Sequence, residues 1–151
     1  MLKRIGIILL VIALLIVGLA ATKPDTFSVQ RSATIKAPPE KIMPLISDFR
    51  HWPSWSPWEK LDPNMQRTLT GAPSGKGAVY AWQGNADVGQ GRMEVIDYAA
   101  PTSVTIKLDF IEPMATSNVT QFVLTPNGET TTVTWHMSGP MPFMSKLISV
   151  F

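Results

Sequence analysis

The sequence predicts a small α+β domain of about seven strands, carried behind an N-terminal apolar helix. Three observations lead there. Residues 5–21 (IGIILLVIALLIVGLAA) contain no charge. Between residues 27 and 138, seven runs alternate apolar with polar side chains, the period of a strand with one buried face. One amphipathic helical stretch separates the first run from the other six.

The 151-residue chain has room for one domain, and its first two dozen residues stand outside it. A helix opening on Ile5 and closing on Ala21 spans roughly 25 Å, the low end for crossing a bilayer. It reads as an uncleaved transmembrane anchor or as a secretory signal. The run exceeds the roughly 7–15 residues of a signal core, which favours the anchor. Gly18-Leu19-Ala20, followed by Ala21, is where a signal would be cut, leaving a secreted protein. Lys3 and Arg4 precede the span, so the positive-inside rule sends the domain to the periplasmic or extracellular side.

Residues 1–22 are thus the anchor or signal segment, residues 23–26 a linker holding Pro24, and residues 27–151 the domain. In the first strand Phe27, Val29, Ala33 and Ile35 alternate with Ser28, Gln30, Ser32, Thr34 and Lys36. Ala37-Pro38-Pro39-Glu40 stops it and opens a helix over about 39–48, proline being suited to a first helical turn. Ile42, Leu45, Ile46 and Phe49 share one face of that helix, and Pro44 inside it marks a distortion. The later strands read as 65–70, 78–84, 91–98, 103–112, 116–125 and 130–138, with valine and threonine enriched in the last runs. Pro126-Asn127-Gly128-Glu129 is the clearest hairpin signal between them. After Pro142, apolar Phe143, Met144, Leu147, Ile148 and Phe151 take amphipathic-helix spacing. That helix stops at Phe151 without a polar cap, and the expectation is a truncated helix able to self-associate through its bare apolar stripe.

Composition removes several functional classes. The chain holds 13 Lys+Arg and 11 Asp+Glu, but two of the bases are Lys3 and Arg4, so the domain itself is neutral. Nucleic-acid binding loses its electrostatic support. Without cysteine there is no disulfide, thiolate nucleophile or cysteine zinc site.

The stretch from Ala33 to Ile42 (ATIKAPPEKI), followed by Asp48 to Trp58 (DFRHWPSWSPW), resembles the opening of the Bet v 1/START-like superfamily. The resemblance is strongest to its bacterial SRPBCC, or polyketide cyclase/dehydrase, proteins. Gly75 to Trp82, Asp109-Phe110 and Val133-Thr134-Trp135 are similar to its later strands. The resemblance implies a helix-grip fold, in which a curved seven-stranded antiparallel sheet wraps a long C-terminal helix. It also implies an apolar cavity for lipids, sterols, polyketides or other hydrophobic ligands, in a fold whose members share no single reaction.

Candidate sites divide into bland and informative. GAPSGKG has one residue too few for a phosphate loop and lacks its Ser or Thr, so it reads as a turn. His51 and His136 have no ligand-spaced acid or cysteine, so no metal or cofactor site is expected, and His136 falls on the solvated side of its strand. Trp52, Trp55 and Trp58 read as packing on the sheet rather than as a pocket lip. Of the strand acids Glu94, Asp97, Asp109 and Glu112, alternation puts Asp109 outside any cavity, and no catalytic constellation emerges. Asn118-Val119-Thr120 is a sequon that matters only in a glycosylating pathway.

The expected function is therefore a membrane-tethered extracytoplasmic domain that binds a hydrophobic small molecule or lipid. Its pocket wall would comprise Tyr80, Trp82, Met93, Val95, Ile106, Leu108, Phe110, Phe122, Leu124, Val133, Trp135 and Met137. Arg31 shares parity with the inward residues of its strand and is the candidate anchor for a ligand carboxylate. A cyclase/dehydrase-like enzyme and an interaction domain with a filled core are the alternatives. If residues 5–21 remain uncleaved, the protein should fractionate with membranes and be degraded by protease added outside the cell. A soluble form starting near Ala21 or Thr22 would make it secreted instead.

Overall fold

The computed structural model describes residues 2–142 and 145–146, in two compact units. The first comprises residues 1–27 with 140–151. Within it, helix α1 (Leu2–Ala21) leaves Ile7, Leu9, Leu10 and Leu14 exposed, as an apolar helix without a protein partner does. Its 20 residues span about 30 Å, matching a hydrocarbon core. The Thr22 hydroxyl donates to the Leu19 carbonyl and satisfies part of its C-terminus. Beyond it, Met141 N–H donates to the Asp25 carbonyl at 2.7 Å, and Lys146 pairs with the Asp25 carboxylate. Ser145 and Lys146 are helical; the rest of the expected C-terminal helix lies outside the described residues.

The second unit, residues 28–139, is built on an open, curved antiparallel sheet. Its seven strands are β1 (Thr26–Ile35), β2 (Gln66–Gly71), β3 (Ala78–Gln83), β4 (Gln90–Ala99), β5 (Ser103–Glu112), β6 (Thr116–Asn127) and β7 (Thr130–Pro140). They lie in the order β1-β7-β6-β5-β4-β3-β2, so five hairpins form a meander and β1 closes back on β7. Between β1 and β2 come helix α2 (Pro39–Ser47) and two 3-10 helices, Phe49–Ser54 and Pro57–Lys60. GAPSGKG is the β2–β3 turn, closed by Ala72 N–H on the Gly77 carbonyl. Register shifts between Val95 and Asp97 and at Gln90/Gly91 mark irregularities where β4 departs from a flat ladder.

Alternation holds, but burial does not follow it everywhere. In β3 and the first half of β4 the inward residues Tyr80, Trp82, Met93 and Val95 are buried, as are Val104, Ile106 and Leu108 of β5. Phe122 and Leu124 of β6 join them in one core with Ile42, Met43, Ile46 and Phe49. At the other edge the expectation needs correction. Val29 and Ile35 are 36% and 42% exposed, and Val133, Trp135 and Met137 are only half-buried. Ser28, Ser32 and Thr34 bond across to His136, Thr134 and Thr132, so the polar face is ordered as alternation requires. His136 Nε2 lies 2.8 Å from Ser28 Oγ and is half-buried, hence not simply solvated. Among the described residues, α2 packs farther along the sheet, on β5 and β6, and leaves the apolar face at β7 half-buried.

Close approach requires glycine at Gly91. Gly91 pairs with Trp82, and an added Cβ would lie 2.4 Å from the indole and 2.7 Å from the Asp109 carbonyl oxygen. Gly91→Ala must displace the Trp82 ring and should cost about 1–3 kcal/mol. Chemical denaturation with tryptophan fluorescence should read both the loss and the altered ring environment.

Candidate functional site

The site begins at the end of α2. Asp48 accepts the Arg50 backbone N–H at 3.0 Å and starts the first 3-10 helix. The Arg50 guanidinium hydrogen-bonds the same carboxylate and holds its pKa below the usual range. That turn aims Trp52 and Trp55 back at the helix, where their indole N–H groups donate to the Ile46 and Leu45 carbonyls at 2.9 and 2.8 Å. Carbonyls left orphaned at a helix end thus become the mounts for two aromatic rings. Trp52 packs edge-on to Phe49 with ring centres 5.3 Å apart, and Trp55 lies 4.9 Å from Trp52.

Between the two 3-10 helices and the sheet lies a cavity of about 400 Å³, open at one rim. Trp52, Pro57, Trp58 and Glu59 form its roof; Tyr80, Trp82, Met93, Ile106, Leu108, Phe110, Thr120, Trp135 and Met137 supply the sheet side. The volume falls within the range of small-molecule sites. Trp58 meets Phe110 edge-on at 6.2 Å and is 37% exposed, so it stands at the cavity's rim. Trp82 is fixed from behind, its indole N–H donating to the Val88 carbonyl at 3.0 Å.

Among the described residues the wall carries one charged group. Glu59 is 6% exposed, and its two oxygens are shared out. Oε1 accepts from the Tyr80 hydroxyl and Oε2 from Arg67 Nε, each at 2.5 Å. Arg67 lies on β2 and also donates to the Met65 carbonyl. Burial, then the Glu59 hydrogen bond, push the Tyr80 phenol well above its ordinary value, while the same carboxylate raises Arg67. Tyr80 is thereby held as a neutral donor. Among the described residues no group of His, Asp and Glu is arranged to hold a metal.

A family model described as polyketide cyclase/dehydrase and lipid transport matches residues 26–148. The chain belongs to that family. No curated protein matches it. Among solved structures it is similar to CalU16 from Micromonospora echinospora, at 17% identity and a TM-score of 0.56 over 85% of this chain and 71% of that one. A major latex-like protein from Panax ginseng gives 19% identity and 0.55, over 83% and 95%. An HSP90 activator from Plasmodium falciparum gives 13% and 0.51, over 76% and 74%. At such identities the likeness is one of fold, the Bet v 1-like sheet expected from the opening motif.

Within this family fold, the residues named from sequence separate into four groups. Tyr80, Trp82, Met93, Ile106, Leu108, Phe110, Trp135 and Met137 come together around the cavity. Val95, Phe122 and Leu124 share their face but are filled core, next to α2 and Phe49. Val133 packs against the edge of that core, outside the cavity lining. Arg31 is exposed on β1, with its guanidinium on the Gln30 carbonyl, and does not line the cavity. Asp109 is paired with Lys107 away from the lining, as alternation required. Asn118 is 6% exposed, which closes the sequon, and its Oδ1 has no partner among the described residues.

The roof escaped sequence reasoning. Trp52 and Trp58 were expected as packing, and they do pack, but they also line the cavity. Glu59 was not singled out, because a four-residue 3-10 helix carries no periodicity to show its inward side. Its one signal was position, an acid directly after the WSPW aromatic cluster. Because the folded Tyr80 pKa is raised, its stabilising contribution is full below the ordinary tyrosine value near about pH 10 and is lost as pH rises toward the folded value. Spectrophotometric titration should therefore show one of the two tyrosines resisting ionisation until the fold is lost, and Tyr80→Phe should abolish that late step.

Proposed function

We propose that this domain binds a hydrophobic small molecule or lipid in the roofed cavity, and that α1 tethers it to a membrane with the domain on the extracytoplasmic side. The single observation that carries the binding reading is the 400 Å³ cavity with its almost wholly apolar lining. An interaction domain with a filled core would have no such space. The family's lipid-transport description and the length of α1 agree with a ligand drawn from a membrane. Lys3 and Arg4 before the span supply the orientation.

A cyclase-like reaction is the second reading, and the contact that favours it is Glu59 against Tyr80 inside the cavity. Proton transfer is efficient when the acid's pKa lies near the working pH. The Tyr80 phenol is displaced away from it, so the pair is better suited to hold a ligand than to protonate one. Native mass spectrometry of the full chain extracted from its host should reveal a co-purifying apolar molecule. Leu108→Trp, which puts an indole into the cavity, should remove it while leaving the protein folded. Retention of the same molecule by that variant would place binding elsewhere.

A further inference from the structure

Granted the membrane tether proposed above, we infer that the β5–β6 turn docks on the surface of the bilayer that α1 spans, and holds the mouth of the cavity against lipid. Strand direction decides which end of the sheet the tether enters. Residues 22–25 alone separate α1 from β1, so Thr26 stays within roughly 17 Å of the end of the helix, whatever direction that helix takes. Antiparallel pairing brings to the starting end of β1 the last residues of β7, β5 and β3 and the first of β6, β4 and β2. The β5–β6 turn is at this end, and the β4–β5 and β6–β7 turns are at the other. The cavity lies toward the same end: Trp82 and Phe110 come late in β3 and β5, and Met137 late in β7. Core Val95, Val104 and Leu124 lie toward the far end.

The turn has the chemistry for lipid. β5 and β6 last pair at Phe110 and Thr116, and residues 111–115 run on beyond that pair, all exposed. Four of the five are apolar, with Ile111 50% and Met114 56% exposed. Exposed turns are ordinarily built from Gly, Asn, Asp and Ser, as Pro126-Asn127-Gly128-Glu129 is at the far end, and this turn has none of them. Ile111 directly follows Phe110, which meets Trp58 at the cavity rim, and indole favours a lipid–water boundary. The exposed charges at this end, Glu112, Asp87 and Lys60, leave no basic excess, so the contact is apolar and does not call for anionic lipid. Few side chains suffice, because a short tether keeps the bilayer surface at a high effective concentration.

The chain has no cysteine, so a single label can be placed at either end of the sheet. Ala115→Cys in the turn and Glu129→Cys in the β6–β7 turn are each labelled with NBD in the full chain. Both are reconstituted in phosphatidylcholine nanodiscs, with and without doxyl-labelled phosphatidylcholine as quencher. Quenching should be at least about threefold greater at 115 than at 129, because docked side chains reach about 5–10 Å into the acyl boundary. Adding Met114→Asp to the Ala115→Cys chain should cut that quenching by about threefold or more, since such binding scales with buried apolar area. Met114 is exposed, so the thermal melt should not move. Should that variant fail to fold, the comparison of 115 with 129 still decides. Equal quenching at the two positions, low or high, overturns docking by this turn and leaves the tether standing. Blue-shifted emission at 115 without lipid quenching seats the turn on protein and overturns it as well. A chain that does not co-elute with the nanodiscs overturns the tether reading and this inference together.

Discussion

The carboxylate of Glu59 is where the roof of the cavity is fixed to its floor. It comes from a four-residue 3-10 helix with little cohesion of its own, and it bonds Tyr80 on β3 and Arg67 on β2. Charge-assisted hydrogen bonds at 2.5 Å set the height of that helix above the sheet. Trp58 precedes Glu59 in the chain and reaches Phe110, so the rim of the cavity takes its position from the same contact. Breaking a buried ion pair costs far more than replacing it whole, because the remaining partner is stranded. The roof is therefore held by an interaction that is poor at adding net stability but intolerant of partial loss.

A second constraint divides the inward face of the sheet. Where α2 and Phe49 cover it, Val95, Val104, Phe122 and Leu124 pack to a dense core. Where, among the described residues, the two 3-10 helices arch over it, Met93, Ile106, Leu108 and Phe110 line a space. On β4, β5 and β6 core and lining positions lie two residues apart, as in Val95 and Met93, Val104 and Ile106, and Phe122 and Thr120. A 3-10 helix of four to six residues cannot present a continuous ridge to a sheet, and aromatic rings bridge the gap that it leaves.

These constraints explain what was legible in the sequence. The strands were readable because period two is a local property: 103–112 was found to the residue, and the others to within two or so. The face of each inward residue was readable for the same reason. What covers that face is non-local. Nothing in the alternation of Val95 or Phe122 distinguishes a residue beneath α2 from one beneath a cavity, so filled core was read as wall. On β1 and β7 the parity of Val29, Arg31, Val133 and Trp135 was sound, but parity alone does not bury a side chain, and among the described residues these four stay exposed or half-buried. Glu59 was invisible because its role depends on a partner 21 residues away on β3.

The cavity also bears on how the domain persists. The cavity opens at its rim beside Trp58, so solvent can enter it. Water fills a cavity well only where it finds several polar partners, and this lining concentrates them at Glu59, Tyr80 and Thr120. Over the rest, from Met93 to Met137, an apolar occupant recovers contacts that water cannot make. Occupancy and stability are then linked: whatever binds the folded state alone stabilises it in proportion to the logarithm of its concentration over its dissociation constant. The aromatic roof is the element on which that linkage acts, since Trp52 and Trp58 touch both the cavity and the parts of the domain that hold it closed.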